Sequence, residues 1–301
     1  MTVSPQHKEE NRRTGLVLKF YSNLLDVEDF ESKERITCKL RGKFKKQGIR
    51  PITGDIVEYV KINSKEGVVE NILNRKTELK KPSVANVDQV VIVTTLKMPE
   101  VPFDILDRFI VLVENEELPI VIVLNKVDLL TEEEISDFCD TYGKLYPVVK
   151  TSALKNIGLD DLKEHLKDKI SVFAGMSGVG KSSLLNSLED HLRLRTGEIS
   201  EKLGRGKHTT TTAELLELSF GGWVVDTPGF ASLEIEGINE EKLRELFVEF
   251  PNDRCLFPDC LHVNEPECYV KKLVQKKKIS SSRYESYLKL LKEIEELKGA
   301  L

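Results

Sequence analysis

Long apolar runs, a leader and paired cysteines are what this chain of 301 residues is short of, and each shortage excludes something. No window holds eighteen consecutive apolar residues, so no membrane-spanning helix and no membrane partner are expected. The first ten residues are polar and carry no apolar segment of the kind a secretory leader needs, which makes a cytoplasmic location the expectation. Five cysteines are present, three of them between residues 255 and 268. In a reducing compartment disulfides are the poorer account of that crowding.

What is abundant is charge, at 32% of residues, while a hydrophobic content of 40% suffices for buried cores. The length is long for one core and suits two or three domains. The net charge of −5 hides a pattern. Residues 1–81 carry 18 Lys and Arg against 12 Asp and Glu; residues 82–268 carry 18 against 34; residues 269–301 carry 9 against 4. Two basic ends flank an acidic middle, an asymmetry that suits a polyanionic partner at the ends.

The densest chemical signal is Gly175-Met176-Ser177-Gly178-Val179-Gly180-Lys181-Ser182. It follows the apolar run at 170–174 and precedes Ser183-Leu184-Leu185-Asn186-Ser187-Leu188, giving strand, glycine loop and helix in turn. Glycines let backbone N–H groups curl round phosphate oxygens, and the helix beginning there points its positive end at the same anion. Lys181 is expected to reach the β- and γ-phosphates, Ser182 to be a ligand of Mg²⁺, and Ser183 to line the nucleotide site with the rest of the loop.

Before that loop the chain reads in two parts. Residues 14–22, 35–40, 55–60 and 67–72 alternate as short strands punctuated by Gly42, Gly48 and Gly54, the pattern of a small β-barrel. The segment 41–50 is basic and loop-like with one aromatic, which on an oligonucleotide-binding (OB-fold) barrel suits nucleic acid. From residue 87 strands alternate with helices: strand 87–95, helix 103–113 with Pro102 in its first turn, strand 120–124, helix 131–143, strand 147–150 and helix 159–169. That alternation predicts a mostly parallel α/β sheet covered on both faces.

Asn125-Lys126-Val127-Asp128 lies at the C-terminal end of one of these strands, where open sheets place ligand loops. The Asp128 carboxylate can accept from the adjacent N1–H and N2–H₂ of guanine, and adenine has no matching pair of donors. Asn125 is expected to tie this loop to the glycine loop, and the Lys126 stem to pack on the base. Ser152 and Ala153, after the next strand, offer backbone N–H groups to the guanine O6. Downstream, Gly204-Arg205-Gly206-Lys207-His208-Thr209-Thr210-Thr211-Thr212 suits a loop ordered by a γ-phosphate and Mg²⁺, with one of its threonines on the metal. Asp226-Thr227-Pro228-Gly229 follows an apolar strand; Asp226 suits Mg²⁺ through water, and the Gly229 N–H suits the γ-phosphate. The order is base motif, glycine loop, first switch, second switch, a circular permutation of the usual one. The second switch therefore leads straight into residues 236–301.

There, Cys255, Cys260, His262 and Cys268 form Cys-x₄-Cys-x-His-x₅-Cys, the donor set of a closed structural Zn²⁺ site. The run has little apolar content, so the metal would supply its folding free energy. Cys38 and Cys139 read as buried thiols. Lysines at 271–278 and a helix at 282–297 follow; its stripe Tyr284, Tyr287, Leu288, Leu291, Ile294 and Leu297 reads as packing.

The permuted order together with the Cys₃His pattern and the segment 50–57 resembles the bacterial small-ribosomal-subunit biogenesis GTPases of the RsgA (YjeQ/EngC) type, over nearly the whole chain. The resemblance implies an OB barrel at 1–81, a circularly permuted GTPase domain at 82–235 and a mainly helical zinc-binding domain at 236–301. It further implies GTP hydrolysis stimulated by the 30S subunit, contact with 16S rRNA and other assembly factors during late maturation, and His208 as the group acting on the attacking water. A monomer is expected. Phe230 follows Gly229 where Ras-like enzymes carry a water-orienting glutamine, so slow intrinsic turnover is expected. The rival reading is an RNA-binding scaffold for which GTP is a structural ligand.

Overall fold

The computed structural model describes residues 12–21, 23–189, 213–226, 235 and 237–299, with the backbone alone for Lys45, Asp226 and Gly299. The described residues fall into two compact units, one drawn from 1–88, 166–172 and 198–229, the other from 89–165, 173–197 and 230–301.

In the first unit, β1 (Arg12–Tyr21), β2 (Leu24–Asp29), β3 (Arg35–Leu40), β4 (Ile56–Lys61) and β5 (Glu66–Ile72) close into a barrel. The length of β1 makes closure possible: Arg12 to Leu16 pair with β4, and Gly15 to Tyr21 pair with β2. The circuit is completed by β2–β3, a parallel β3–β5 pair and β5–β4. Alternation delivers Val17, Leu25, Val27, Ile36, Val57, Tyr59 and Val69 to one core. Cys38 is buried among them, and burial pushes its thiol up to about 12. Gly67 leaves room there, since a Cβ on it would lie 2.9 Å from the Cys38 sulfur.

Two local expectations change. The segment 41–50 is not all loop: α1 (Gly42–Lys46) forms within it, because Phe44 buries its ring in the barrel core. And β2 is a fifth strand that the pattern of residues 24–29 conceals, since three of its six residues are acidic. Two of those, Glu28 and Asp29, are buried, and Asp29 accepts from the Tyr59 hydroxyl at 2.5 Å.

A short hairpin, β6 (Glu78–Leu79) with β7 (Val84–Ala85), follows the barrel. The same unit holds the start of β11 (Ile170–Ala174) and the hairpin of β12 (Glu214–Glu217) and β13 (Trp223–Asp226). β13 runs parallel to β11, and β12 pairs antiparallel with β13 on one edge and β1 on the other.

The second unit carries β8 (Gln89–Thr94), β9 (Ile120–Leu124) and β10 (Val148–Lys150), parallel in the order β10-β9-β8. Every residue of β8 and β9 is buried, which is why they read as unbroken apolar runs. The connecting helices are α2 (Phe103–Asn115), α3 (Glu132–Tyr142) and α4 (Leu159–Leu166), and α5 (Lys181–Leu188) follows the glycine loop. Pro102 is the N-cap of α2 and not part of its first turn; α3 starts on a capping box between Thr131 and Glu134. After these come α6 (Glu240–Leu246), α7 (Tyr269–Gln275) and α8 (Ser281–Gly299). They share a core of Leu243, Phe247, Phe250, Tyr287, Leu291 and Ile294, which takes in Val111 from α2. Leu297, expected in that packing stripe, is exposed.

Candidate nucleotide site and metal centre

Beyond Ala174 the chain turns through Gly175, with φ at 131°, and a Cβ there would stand 2.2 Å from the Val93 carbonyl oxygen. At Gly180, with φ at 100°, a Cβ would stand 2.4 Å from Asn125 Nδ2. Both positions need glycine for conformation and for closeness at once. Between them Val179 is buried, while Ser177 and Gly178 face solvent. α5 starts directly after Gly180 and has no acidic residue in its first turn, so its positive end is not neutralised from within. Lys181 Nζ folds back to donate to the carbonyls of Gly175 at 2.8 Å and Met176 at 2.9 Å. Burial pulls its pKa below the ordinary lysine value. A loop of backbone N–H groups, a helix N-terminus and a half-buried ammonium together form a cradle for an anion. Ser182 and Ser183 sit in the first turn of α5, both half-buried.

Asn125 occupies the C-terminal end of β9 and is buried. Its Nδ2 donates to the Val179 carbonyl at 2.9 Å, and its Oδ1 accepts from Thr151 Oγ1 at 3.1 Å and the Ala153 N–H at 3.4 Å. One amide thus holds three loops together. Lys126 has φ at 61°, and its Nζ donates to the carbonyls of Gly178, at 2.9 Å, and Met98. Its stem lies across from the base-motif loop to the glycine loop. Asp128 sits exposed in a 3₁₀ turn at Val127–Leu129. Ser152 is buried, and its hydroxyl accepts from the Lys155 N–H at 3.2 Å; Ser187 on α5 donates to the Ala153 carbonyl at 3.3 Å. The structure therefore gathers Asn125, Lys126, Ser152, Ala153 and the glycine loop. His208, Thr209, Thr210, Gly229 and Phe230 lie outside the described residues, and Asp226 closes β13.

The second cluster is Cys255, Cys260, His262 and Cys268, whose ligand atoms all lie within 4.8 Å of one another. His262 Nδ1 is 3.6, 3.3 and 3.4 Å from the sulfurs of Cys255, Cys260 and Cys268, and the Cys255 and Cys268 sulfurs are 4.0 Å apart. A tetrahedral ion with bonds of about 2.3 Å to sulfur and 2.05 Å to nitrogen needs donor separations of about 3.5–3.8 Å. The donor set fits a metal ion in kind and in spacing. His262 Nε2 lies 2.7 Å from Asn252 Oδ1; protonated there, the ring turns the Nδ1 lone pair to the sulfurs. Burial lowers the His262 pKa to about 4, which keeps the ring neutral. α8 grips the knuckle from outside: Tyr287 donates to the Leu261 carbonyl at 2.7 Å and Tyr284 to the His262 carbonyl at 2.6 Å.

Sequence reasoning missed several of these groups. Asn252 stands outside the cysteine pattern. Tyr284 and Tyr287 read as packing, and their hydroxyls leave no mark on periodicity. Arg283, 1% exposed, bonds Asp107 Oδ1 at 2.7 Å and Glu249 through two nitrogens, joining α2 to α8. A lone Arg among serines signals nothing of this.

The RsgA GTPase family matches residues 70–236, and the RsgA N-terminal domain family matches residues 14–69. A protein of Thermotoga maritima named small ribosomal subunit biogenesis GTPase RsgA is 54% identical over 286 residues, covering 94% of this chain and 97% of its own. One of the same name from Caldanaerobacter subterraneus is 50% identical over 264 residues, covering 87% and 89%. Among solved structures, YjeQ from Thermotoga maritima superposes with a TM-score of 0.84 at 51% identity, covering 94% of this chain and 98% of its own. YloQ, described as a circularly permuted GTPase, superposes at 0.81 and 35% identity, covering 97% and 98%.

Proposed function

The chain belongs to the RsgA GTPase family and is a GTP hydrolase, and we propose that it acts in biogenesis of the small ribosomal subunit, with turnover stimulated by that subunit. The observation that carries the proposal is Asn125, which ties the guanine-motif loop, the 151–153 loop and the glycine loop into one buried junction. Asp128 reads the guanine N1–H and N2–H₂, and the N–H groups of Ser152 and Ala153 read O6. The N–H groups of residues 175–183 hold the phosphates, with Lys181 released from its carbonyl partners onto them. Ser182, Asp226 and one of Thr209 and Thr210 would hold Mg²⁺, which would supply positive charge against the phosphates. His208 orients the water, and the Gly229 N–H senses the γ-phosphate. Cys255, Cys260, His262 and Cys268 would hold one Zn²⁺, and with four protein donors its work would be structural. The barrel and the basic tail face 16S rRNA, a role their charge suits, and other assembly factors bind during the same stage. The protein works as a cytoplasmic monomer.

GTP turnover measured alone and with purified 30S subunits tests this. A stimulation lost in Lys181→Ala, and a preference for GTP over ATP lost in Asp128→Ala, are the expected results. Slow turnover that subunits leave unchanged, with subunit binding retained, would replace this reading with an RNA-binding scaffold.

A further inference from the structure

The strand that leaves the 204–212 segment is also held by the barrel. β12 starts at Glu214, and Lys19 of β1 stands opposite it in the antiparallel pair. One residue earlier, the Ala213 carbonyl accepts a 2.7 Å hydrogen bond from the Thr53 hydroxyl, with both residues buried. The Lys19 ammonium meets the Glu214 carboxylate, and the Arg35 guanidinium reaches Glu217 at 3.4 Å. Thr53 is itself anchored in the barrel unit: its carbonyl accepts from the Ala85 N–H at 2.9 Å, and a Cβ on neighbouring Gly54 would strike the Ala85 oxygen at 2.1 Å. A valine would fill the same space, so what the threonine adds is the bond to β12.

On its other edge β12 pairs with β13 through all four residues, Glu214 with Asp226 down to Glu217 with Trp223. β13 pairs with the first residues of β11, the strand that runs on into the glycine loop. The hairpin therefore enters from the first switch segment and exits into Asp226-Thr227-Pro228-Gly229. β12 is laddered along its whole length to β13, where a slip of one residue would reverse every side chain, and it meets β1 at Glu214, so the hairpin moves as a unit that touches the barrel at its first residues.

We infer that the β12–β13 hairpin couples the barrel to the nucleotide, with Thr53, Lys19 and Arg35 as positioning residues that set where both switch segments start. RNA on the barrel and the γ-phosphate then favour one hairpin position, each strengthening the other's binding. This rests on the GTPase reading above.

The test is hydrogen exchange on the full chain with GDP and with a non-hydrolysable GTP analogue. Amides of residues 14–21 and 53–55 are expected to exchange about fivefold more slowly with the analogue, in wild type and in Thr53→Ser. The difference should vanish in Thr53→Val and in Lys19→Glu, and return in the charge swap Lys19→Glu with Glu214→Lys, while protection of residues 175–188 persists throughout. Barrel exchange indifferent to nucleotide while residues 175–188 are protected would overturn the coupling alone. Retention of the full difference in Thr53→Val and Lys19→Glu would overturn it too. If neither region responds to nucleotide, the GTP-binding reading fails and takes the coupling with it.

Discussion

Asn125 donates to Val179 and accepts from Thr151 and Ala153, so alanine in its place removes three hydrogen bonds from one buried junction. The Val179 carbonyl and the Thr151 hydroxyl would lose the partner Asn125 supplied. We expect Asn125→Ala to cost about 2–3 kcal/mol of stability, read from a denaturant midpoint, since each stranded polar group costs about 1–3 kcal/mol. Guanine-nucleotide affinity should fall by about tenfold or more, read by titration with a fluorescent GDP analogue. Asn252 acts at one remove on the other cluster, fixing the ring of His262. Asn252→Ala is expected to weaken the cluster's affinity for added Zn²⁺ by about 10–100-fold in competition with a chromogenic chelator, and Asn252→Asp, which keeps an acceptor, should lose much less.

Among the elements, α2 serves two sets of partners: it packs on β8 and β9 of the sheet, and on α8 together with α6. Arg108 of α2 and Glu293 of α8 form an ion pair on that second contact. The Arg108 hydrogen bond, aided by its charge and opposed by burial, holds the Glu293 carboxyl below its ordinary value of 4.5. A depressed carboxylate binds its proton less readily folded than unfolded. The stability it contributes is therefore present above the ordinary value and is lost as pH falls through the folded one. Thermal midpoints followed from about pH 5 to pH 3 should drop further in wild type than in Glu293→Gln. How readily each element could be read in advance follows from its surroundings. β8, β9 and β11 are buried throughout and announce themselves as apolar runs. β2 does not, because Asp26, Glu28 and Asp29 mimic a solvated loop, although Asp29 is there to bond the 31–32 turn and Tyr59. α1 was hidden for the opposite reason: a single apolar residue, Phe44, holds down five positions of otherwise basic chain.

At the scale of the molecule, each unit has its own means of support. The barrel closes on itself round a continuous core, and its cysteine is an inert buried thiol. The segment between α6 and α7 adds Phe247, Phe250, Cys260 and Cys268 to the core shared with α6, α7 and α8. Its four Cys and His donor atoms, within 4.8 Å of one another, gather at the edge of that core, with the His262 ring against Phe250 and Tyr287. Stripping the metal with a chelator should therefore open residues 251–268 to protease and lower the thermal midpoint by about 5 °C, while barrel strands β1–β5 keep their protection. The members of both clusters could be picked out from residue order, because glycine loops and Cys/His knuckles are built from neighbours along the chain. Glycines at 175, 178 and 180 and the spacing of Cys255, Cys260, His262 and Cys268 needed no fold to be recognised. The bonds from Asn125 to Val179, from Asn252 to His262, from Arg283 to Asp107 and from Thr53 to Ala213 could not be read this way. Each joins one side chain to a group that the folded chain brings near, by strand order, helix packing or the fold of the Cys/His segment, and hydrogen-bond geometry over 3 Å depends on that placement and on no local pattern.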